Sequence, residues 1–237
     1  MSKQEILKNH QKYLSRIKLY RDYGYYIERE RELILDLASP LNGDILEIGT
    51  GYGYTTIALA RRGYHLTTLD ISEESQYIAK MNVAYYGLLD RVTFRIGDTN
   101  ALDFVDGTFD VVICVNTLHH LRTPIICLSE MRRVLRPDGM LILSDFTEEG
   151  FSLVEKIHAS EGEVHNRTKY TFGDYAIYLR LKNFKVEMHQ NRFQIVMTAS
   201  KAISAVSDNI IPDKTIYKQV MESEVTLSEE KRRQYLQ

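Results

Sequence analysis

Three glycines on alternate positions, Gly49, Gly51 and Gly53, follow the apolar run Ile45-Leu46-Glu47-Ile48 and precede a helical pattern that begins at Thr55. A strand feeding a Gly-rich turn and then a helix forms a cradle. Its main-chain N–H groups, with no Cβ in the way, can approach an anionic or accepting ligand. Carboxylates stand at the ends of three successive strand-like runs. Glu47 lies two residues before the first glycine, Asp70 closes the run His65–Asp70, and Asp98 follows Val92–Ile96 and Gly97. That is the edge on which open parallel sheets take ligands, and each carboxylate brings two acceptor oxygens for hydroxyl or amino groups. After a fourth run come two adjacent histidines, His119 and His120. They are candidates for proton transfer or substrate contact, or simply for shaping the pocket. The other histidines are scattered and form no pair with a carboxylate at ligand spacing, so no metal is expected. His158 and His189 read as surface or packing residues.

These groups need a scaffold, and the periodicity of the chain supplies one. Residues 1–40 read as a helical arm carrying Tyr13, Tyr20, Tyr23, Tyr25 and Tyr26, closed by an amphipathic helix over Ile27–Leu37 that ends at Ser39-Pro40. The tyrosines either pack the arm on the domain or form an aromatic lid, a role that suits a flat apolar ring with one polar handle. Strands are expected at 45–48, 65–70, 92–96, 109–115 and 140–144. The run Phe109–Val115 is apolar at every position but Asp110, as in a strand buried on both faces. Helices are expected after the glycine loop up to Gly63, over 73–86 behind the cap Ser72, from Thr123-Pro124 to the turn signature Arg136-Pro137-Asp138-Gly139, and over 151–161. Another helix should start at the capping box Thr171…Asp174 and run through Leu181. The final runs, 185–189 and 193–200, read as an antiparallel pair. Strands alternating with helices predict an α/β fold with a doubly wound parallel sheet.

Taken together, several motifs resemble those of the class I (Rossmann-like) S-adenosylmethionine-dependent methyltransferases. They are Glu47-Ile-Gly-Thr-Gly-Tyr-Gly53, Leu69-Asp70-Ile71-Ser72, Gly97-Asp98-Thr99, Phe109-Asp110 through Asn116, Leu118-His119-His120-Leu121 and Val134 through Leu141. The nearest branch resembles the small-molecule ubiquinone/menaquinone C-methyltransferases. The resemblance covers roughly residues 30–200. It implies a mostly parallel seven-stranded sheet, order 3-2-1-4-5-7-6 with strand 7 antiparallel and helices on both faces. It also implies one domain over 1–201 and leaves 202–237 as a helical extension. The implied cofactor is S-adenosylmethionine, held by Glu47, Gly49, Thr50, Gly51, Gly53, Asp70, Ile71, Asp98, Thr99 and Asn116. In this scheme Asp70 serves the ribose hydroxyls, Asp98 and Thr99 the adenine, and Glu47 the tail's ammonium. His119 and His120 are the catalytic candidates, and Tyr20, Tyr25, Tyr26 and His165 the substrate-side ones. The reaction is a direct displacement onto a small-molecule acceptor.

Two other readings compete. A nicotinamide oxidoreductase needs Gly-x-Gly-x-x-Gly, and the third glycine position here is Tyr54. A non-catalytic cofactor-binding scaffold or partner subunit would keep the cofactor positions without the chemistry. Net charge −2 and an isoelectric point near 6.4 argue against nucleic acid as substrate. The two cysteines, Cys114 and Cys127, read as buried thiols, and no apolar run is long enough to span a membrane. A cytoplasmic monomer or homodimer is the expectation.

Overall fold

A computed structural model describes residues 1–162 and 167–201. Seven strands form one sheet: β1 (Ile45–Ile48), β2 (Leu66–Asp70), β3 (Val92–Ile96), β4 (Phe109–Val115), β5 (Leu135–Phe146), β6 (Phe184–Gln190) and β7 (Gln194–Lys201). Their order is β3-β2-β1-β4-β5-β7-β6. β1 to β5 pair in parallel, and β7 runs antiparallel to both β5 and β6. This is the order implied by the family resemblance.

Alternation along β4 shows how the sheet is covered. Val111, Ile113 and Val115 join one apolar cluster with Ile34, Leu35, Leu59 and Ile157; Val112 and Cys114 join the other with Leu128, Met131 and Leu179. Successive side chains point to opposite faces, so a continuously apolar strand needs helices on both. The first face is covered by α1 (Lys3–Asp22), α2 (Ile27–Ala38), α3 (Tyr54–Arg61) and α6 (Glu148–Ser160), the second by α5 (Pro124–Val134) and α7 (Phe172–Leu181). The remaining helix, α4 (Glu73–Tyr85), packs against α1 beside β2 and β3.

Cap chemistry sets most boundaries. The box Thr171–Asp174 is present, and Ser72 accepts from the Ser75 N–H. A second box, Ser2–Glu5, starts α1. Two expectations need correction. α6 starts at Glu148, three residues early, because the Thr147 hydroxyl accepts the Gly150 N–H and caps it. The Arg136–Gly139 signature does not separate α5 from β5. The pairing passes from Phe109↔Leu135 to Val111↔Met140, so the Pro-Asp-Gly segment bulges out within β5. Arg136 then forms ion pairs with Asp44 and Asp110. The segment 202–237 and His165 lie outside the described residues. Among the described residues no helix is long and apolar enough to cross a membrane.

Candidate active site

The loop after β1 turns through three left-handed glycines, Gly49 (φ 85°), Gly51 (φ 50°) and Gly53 (φ 82°). Two of them do different work. A Cβ on Gly49 would stand 2.1 Å from Thr117 Oγ1, so that glycine lets the β1 and β4 loops meet. A Cβ on Gly51 would meet nothing within 4 Å. Its missing side chain leaves open space on the wall of a cavity, which is what a ligand approaching the backbone requires.

Asp70 is tied to that loop. Its Oδ2 accepts the Gly51 N–H at 2.9 Å and its Oδ1 the Ser72 N–H at 3.0 Å. The carboxylate is thereby fixed at the tip of β2, with lone pairs left for a diol. Ile71 beside it is 70% exposed, an apolar surface on the same cavity. Asp98 Oδ1 accepts from the Asn100 backbone and side chain, both at 2.9 Å, and the Thr99 hydroxyl lies 3.1 Å from Cys127 Sγ. Thr50 is buried under the loop, 2.6 Å from the Thr68 hydroxyl and 2.9 Å from Gln76 Nε2. Asn116 has φ 52°, a strained value for a side-chain-bearing residue, at the exit of β4. Its N–H donates to the Ser144 carbonyl, and its Oδ1 accepts from Gln194 Nε2.

Glu47 sits elsewhere than the motif suggests. It is 2% exposed and does not line the cavity; its Oε2 accepts from the Thr56 hydroxyl at 2.5 Å. Burial pushes its carboxyl up to about 7, against the Thr56 and Thr68 bonds and the Arg31 charge, which lower it. Gly53 also stays off the cavity wall and serves as the N-cap of α3. The other expected cofactor residues line one cavity of ≈ 630 Å³, Gly49 through Gly51, Asp70, Ile71, Asp98, Thr99 and Asn116 among them.

The same cavity is also lined by Arg16, Tyr20, Tyr25, Arg31, His119, His120, Phe146 and His158. His119 lies in a 3₁₀ turn over Leu118–His120. Its Nδ1 is 2.6 Å from Asp145 Oδ1, and its backbone N–H donates to Asp145 Oδ2 at 3.3 Å. Both residues are buried. A carboxylate can only accept, so Nδ1 carries the proton and Nε2 becomes the nitrogen that can take one. The ring of His120 is 3.9 Å from that of His119, centroid to centroid. His120 is held below the ordinary imidazole range, first by desolvation and then by the charges of His119 and His158. A second cavity, also ≈ 630 Å³, shares His119 and Phe146 and adds Asp145, Phe151, Tyr170 and Tyr175.

The arm's tyrosines divide. Tyr13 is buried in the core, Tyr20 and Tyr25 are buried and also line the cavity, while Tyr23 and Tyr26 are exposed and Tyr26 is not on the cavity wall. α1 is fastened to α6 by Arg16 Nη1 and Glu161 at 2.8 Å, with Tyr20 Oη 3.5 Å from His158 Nε2. His158, read as surface or packing, therefore belongs to the cavity, whereas His189 lies exposed on β6. Sequence reasoning missed Arg16, Arg31 and Asp145. A signal existed for Asp145, a carboxylate at the end of a strand like Asp70. None existed for the arginines, which come from helices folded back across the sheet edge.

A sheet of this order, with a Gly-rich β1 loop, a β2 carboxylate and an aromatic arm over one cavity, defines the class I methyltransferase fold. Residues 46–143 match the family model described as the methyltransferase domain. The ubiquinone/menaquinone biosynthesis C-methyltransferase of Roseobacter denitrificans is 31% identical over 121 residues, 50% of this chain and 48% of that protein. The chain spans about half the length of the curated relatives it matches. Among solved structures, a SAM-dependent methyltransferase from Aquifex aeolicus superposes with a TM-score of 0.56 at 20% identity, covering 71% of this chain and 88% of that one. The [4+2]-cyclase SpnF does so with a TM-score of 0.59 at 17% identity, covering 75% and 82%. At such identity these two share the fold.

Proposed function

We propose that the protein transfers a methyl group from S-adenosylmethionine to a small-molecule acceptor, with His119 as general base and Asp145 as its positioning partner. One observation carries the reading: the Gly51 cradle and the Asp70 carboxylate open onto the same cavity as the Asp145-supported imidazole. The cofactor supplies an electrophilic methyl on a sulfonium, so the protein's task is alignment and deprotonation. Gly49 to Gly51 and Asp70 hold the tail and ribose, Asp98 and Thr99 the adenine, and Asn116 at the exit of β4 lines the same cavity. Alignment of reacting groups is worth ~7–11 kcal/mol of barrier. His119 Nε2 takes the proton from a hydroxyl or acidic carbon as the acceptor attacks, and Asp145 stabilises the imidazolium that forms. His120, kept neutral at pH 7, contributes shape and a hydrogen bond rather than charge. Phe146, Tyr20 and Tyr25 give the acceptor apolar walls, which suit a flat, partly apolar molecule.

The relatives' printed activities, quinone-precursor methylation among them, support an acceptor of that kind. The balance of charge and the cavity's size favour a small molecule over nucleic acid, and the two buried free thiols suit a reducing cytoplasm. The second reading is a cofactor-binding protein without methyl transfer; a cyclase on this fold supports keeping it in view.

The test is methyl transfer from labelled S-adenosylmethionine to a panel of phenols, catechols and hydroquinones. His119→Ala and Asp145→Asn should each lower turnover by ~10²-fold or more while S-adenosylhomocysteine affinity stays within about twofold. Equal loss of turnover and affinity would reduce the pair to pocket structure. Binding without turnover on any acceptor would favour the second reading.

A further inference from the structure

Asn82 lies on α4, fully buried between the N-terminal arm and the glycine loop. Its Nδ2 donates to the Tyr52 carbonyl at 3.0 Å, and its Oδ1 accepts from Asn9 Nδ2 at 2.7 Å. Asn9 belongs to α1, and its amide also donates to the Ile78 carbonyl at 3.3 Å. Two side-chain amides in series therefore join the arm to the main chain of the loop. The series has a fixed sense. An amide has a donor end and an acceptor end, so turning Asn82 over would set two NH2 groups face to face at Asn9 and two oxygens face to face at Tyr52. Such mismatches are costly away from water, and the Asn9 donor thus decides which way the Asn82 amide faces.

The carbonyl it holds is one that needs holding. Tyr52 stands between two left-handed glycines, Gly51 (φ 50°) and Gly53 (φ 82°), where the backbone turns at little steric cost. Asn82 fixes one end of the Tyr52–Gly53 peptide, and the other end, the Gly53 N–H, donates to the Thr50 carbonyl at 2.8 Å. That peptide leads directly into the first turn of α3, whose Tyr54 and Thr55 line the cavity. Side chains of the arm grip the same two neighbours of Gly53. The Arg16 guanidinium stands 5.1 Å over the Tyr52 ring, and the Tyr13 ring is 4.9 Å from that of Tyr54. Neither asparagine lines the cavity, so an influence on a ligand there runs through the loop.

We propose that Asn82 is a positioning residue that couples docking of the arm to the shape of the glycine loop, with Asn9 as its partner on the arm. The inference rests on reading the cavity as the cofactor site. A ligand that needs the loop in this form binds more tightly when the arm is docked. By linkage, the same ligand docks the arm more firmly when it binds.

The experiment measures calorimetric affinity for S-adenosylhomocysteine in wild type, Asn9→Ala, Asn82→Ala, the double variant and Asn82→Asp, with hydrogen exchange followed in the apo and saturated proteins. Asn9→Ala should weaken binding about fivefold or more in wild type but less than about twofold in the Asn82→Ala background, because its effect passes through Asn82. Asn82→Asp keeps an acceptor for Asn9 but sets an oxygen against the Tyr52 carbonyl, so it should lose at least as much affinity as Asn82→Ala. In wild type the ligand should slow exchange over residues 3–12, the half of α1 that does not line the cavity, by about tenfold; saturated Asn82→Ala should lack that protection. In the apo protein Asn9→Ala should speed exchange over residues 51–55. Asn9 is half-buried, so its loss spares the core, and it carries the test through affinity and apo exchange if Asn82→Ala does not fold. Unchanged affinity in Asn9→Ala, equal losses in both backgrounds, or wild-type protection of residues 3–12 in Asn82→Ala would overturn the proposal. If wild type bound no S-adenosylhomocysteine, the functional reading would fall instead, and apo exchange over residues 51–55 would still decide the coupling, an unchanged rate in Asn9→Ala refuting it.

Discussion

Glu47→Gln probes the least accessible charge of the site. The Glu47 carboxyl, ordinarily at 4.5, is raised to about 7 because burial outweighs the Thr56 and Thr68 hydrogen bonds. At 1.36 kcal/mol per pH unit the difference amounts to ~3 kcal/mol. The sign follows from proton linkage. Below about pH 4.5 the group is protonated in both folded and unfolded chains, and its full contribution is present. As pH rises, the unfolded chain releases the proton first, so stability falls until the folded carboxyl ionises near pH 7. The glutamine of the variant would keep the acceptor for the Thr56 hydroxyl and remain neutral throughout. Chemical denaturation of the apo protein from pH 4.5 to 8 should therefore show the variant gaining on wild type as pH rises. The gain should level off above about pH 7 at ~3 kcal/mol, or ~6–12 °C in melting temperature for a chain of this length. Cofactor binding should reverse the ranking, since an ammonium at the glycine loop favours ionised Glu47. S-adenosylhomocysteine affinity should climb between pH 5 and 7 in wild type, with proton release visible in buffers of different ionisation enthalpy, and stay flat in the variant. A stability difference that did not change with pH would show that Glu47 titrates as an ordinary carboxylate, and the argument from burial would fail.

Asp70→Ala should lower S-adenosylhomocysteine affinity by about tenfold or more, because two charged acceptor positions are lost, with the circular dichroism spectrum retained. Gly49→Ala and Gly51→Ala form a contrasting pair. The first meets Thr117 and should destabilise the fold by ~2 kcal/mol or more; the second carries mainly the ~1–2 kcal/mol cost of a left-handed alanine and should instead weaken cofactor binding, as seen by melting and calorimetry on each variant. Removal of residues 1–26 should abolish turnover together with the Tyr20 and Tyr25 walls. It will also cost stability because Tyr13 and Ile17 leave the core, so Arg16→Gln, which breaks the tie to Glu161 and loosens the contacts to Tyr20 and His158 while leaving that core in place, serves as the milder check on whether arm closure limits kcat. Full activity in both would make the arm a packing element.

Much of this protein is local in origin and therefore legible along the chain. The β1 run, its three glycines and the helix after them follow from short-range chemistry, as do the Ser72 and Thr171 caps. The apolar continuity of Val111–Val115 within the Phe109–Val115 run announces a strand covered on both faces. Carboxylates at strand ends inherit their position from the parallel sheet, so Asp70 and Asp98 could be named before any coordinate. Asp145 obeys the same rule. The turn signature at Arg136–Gly139 misled because a bulge accommodates the same residues within a strand when the neighbouring strand continues. What only the tertiary structure decided is which side chains meet across distant segments. Glu47 turns beneath the loop toward Thr56 rather than into the cavity. Asp145 meets His119 because β5 lies next to β4, and Tyr20 lines the cavity while Tyr26 faces solvent because α1 and α2 fold back over the sheet edge. Arg31 acquires its burial and its hydrogen bond to Tyr25 from the packing of those helices. Spacing along a chain encodes period and turn; the meeting of residues far apart in sequence is fixed by packing, which no local pattern records.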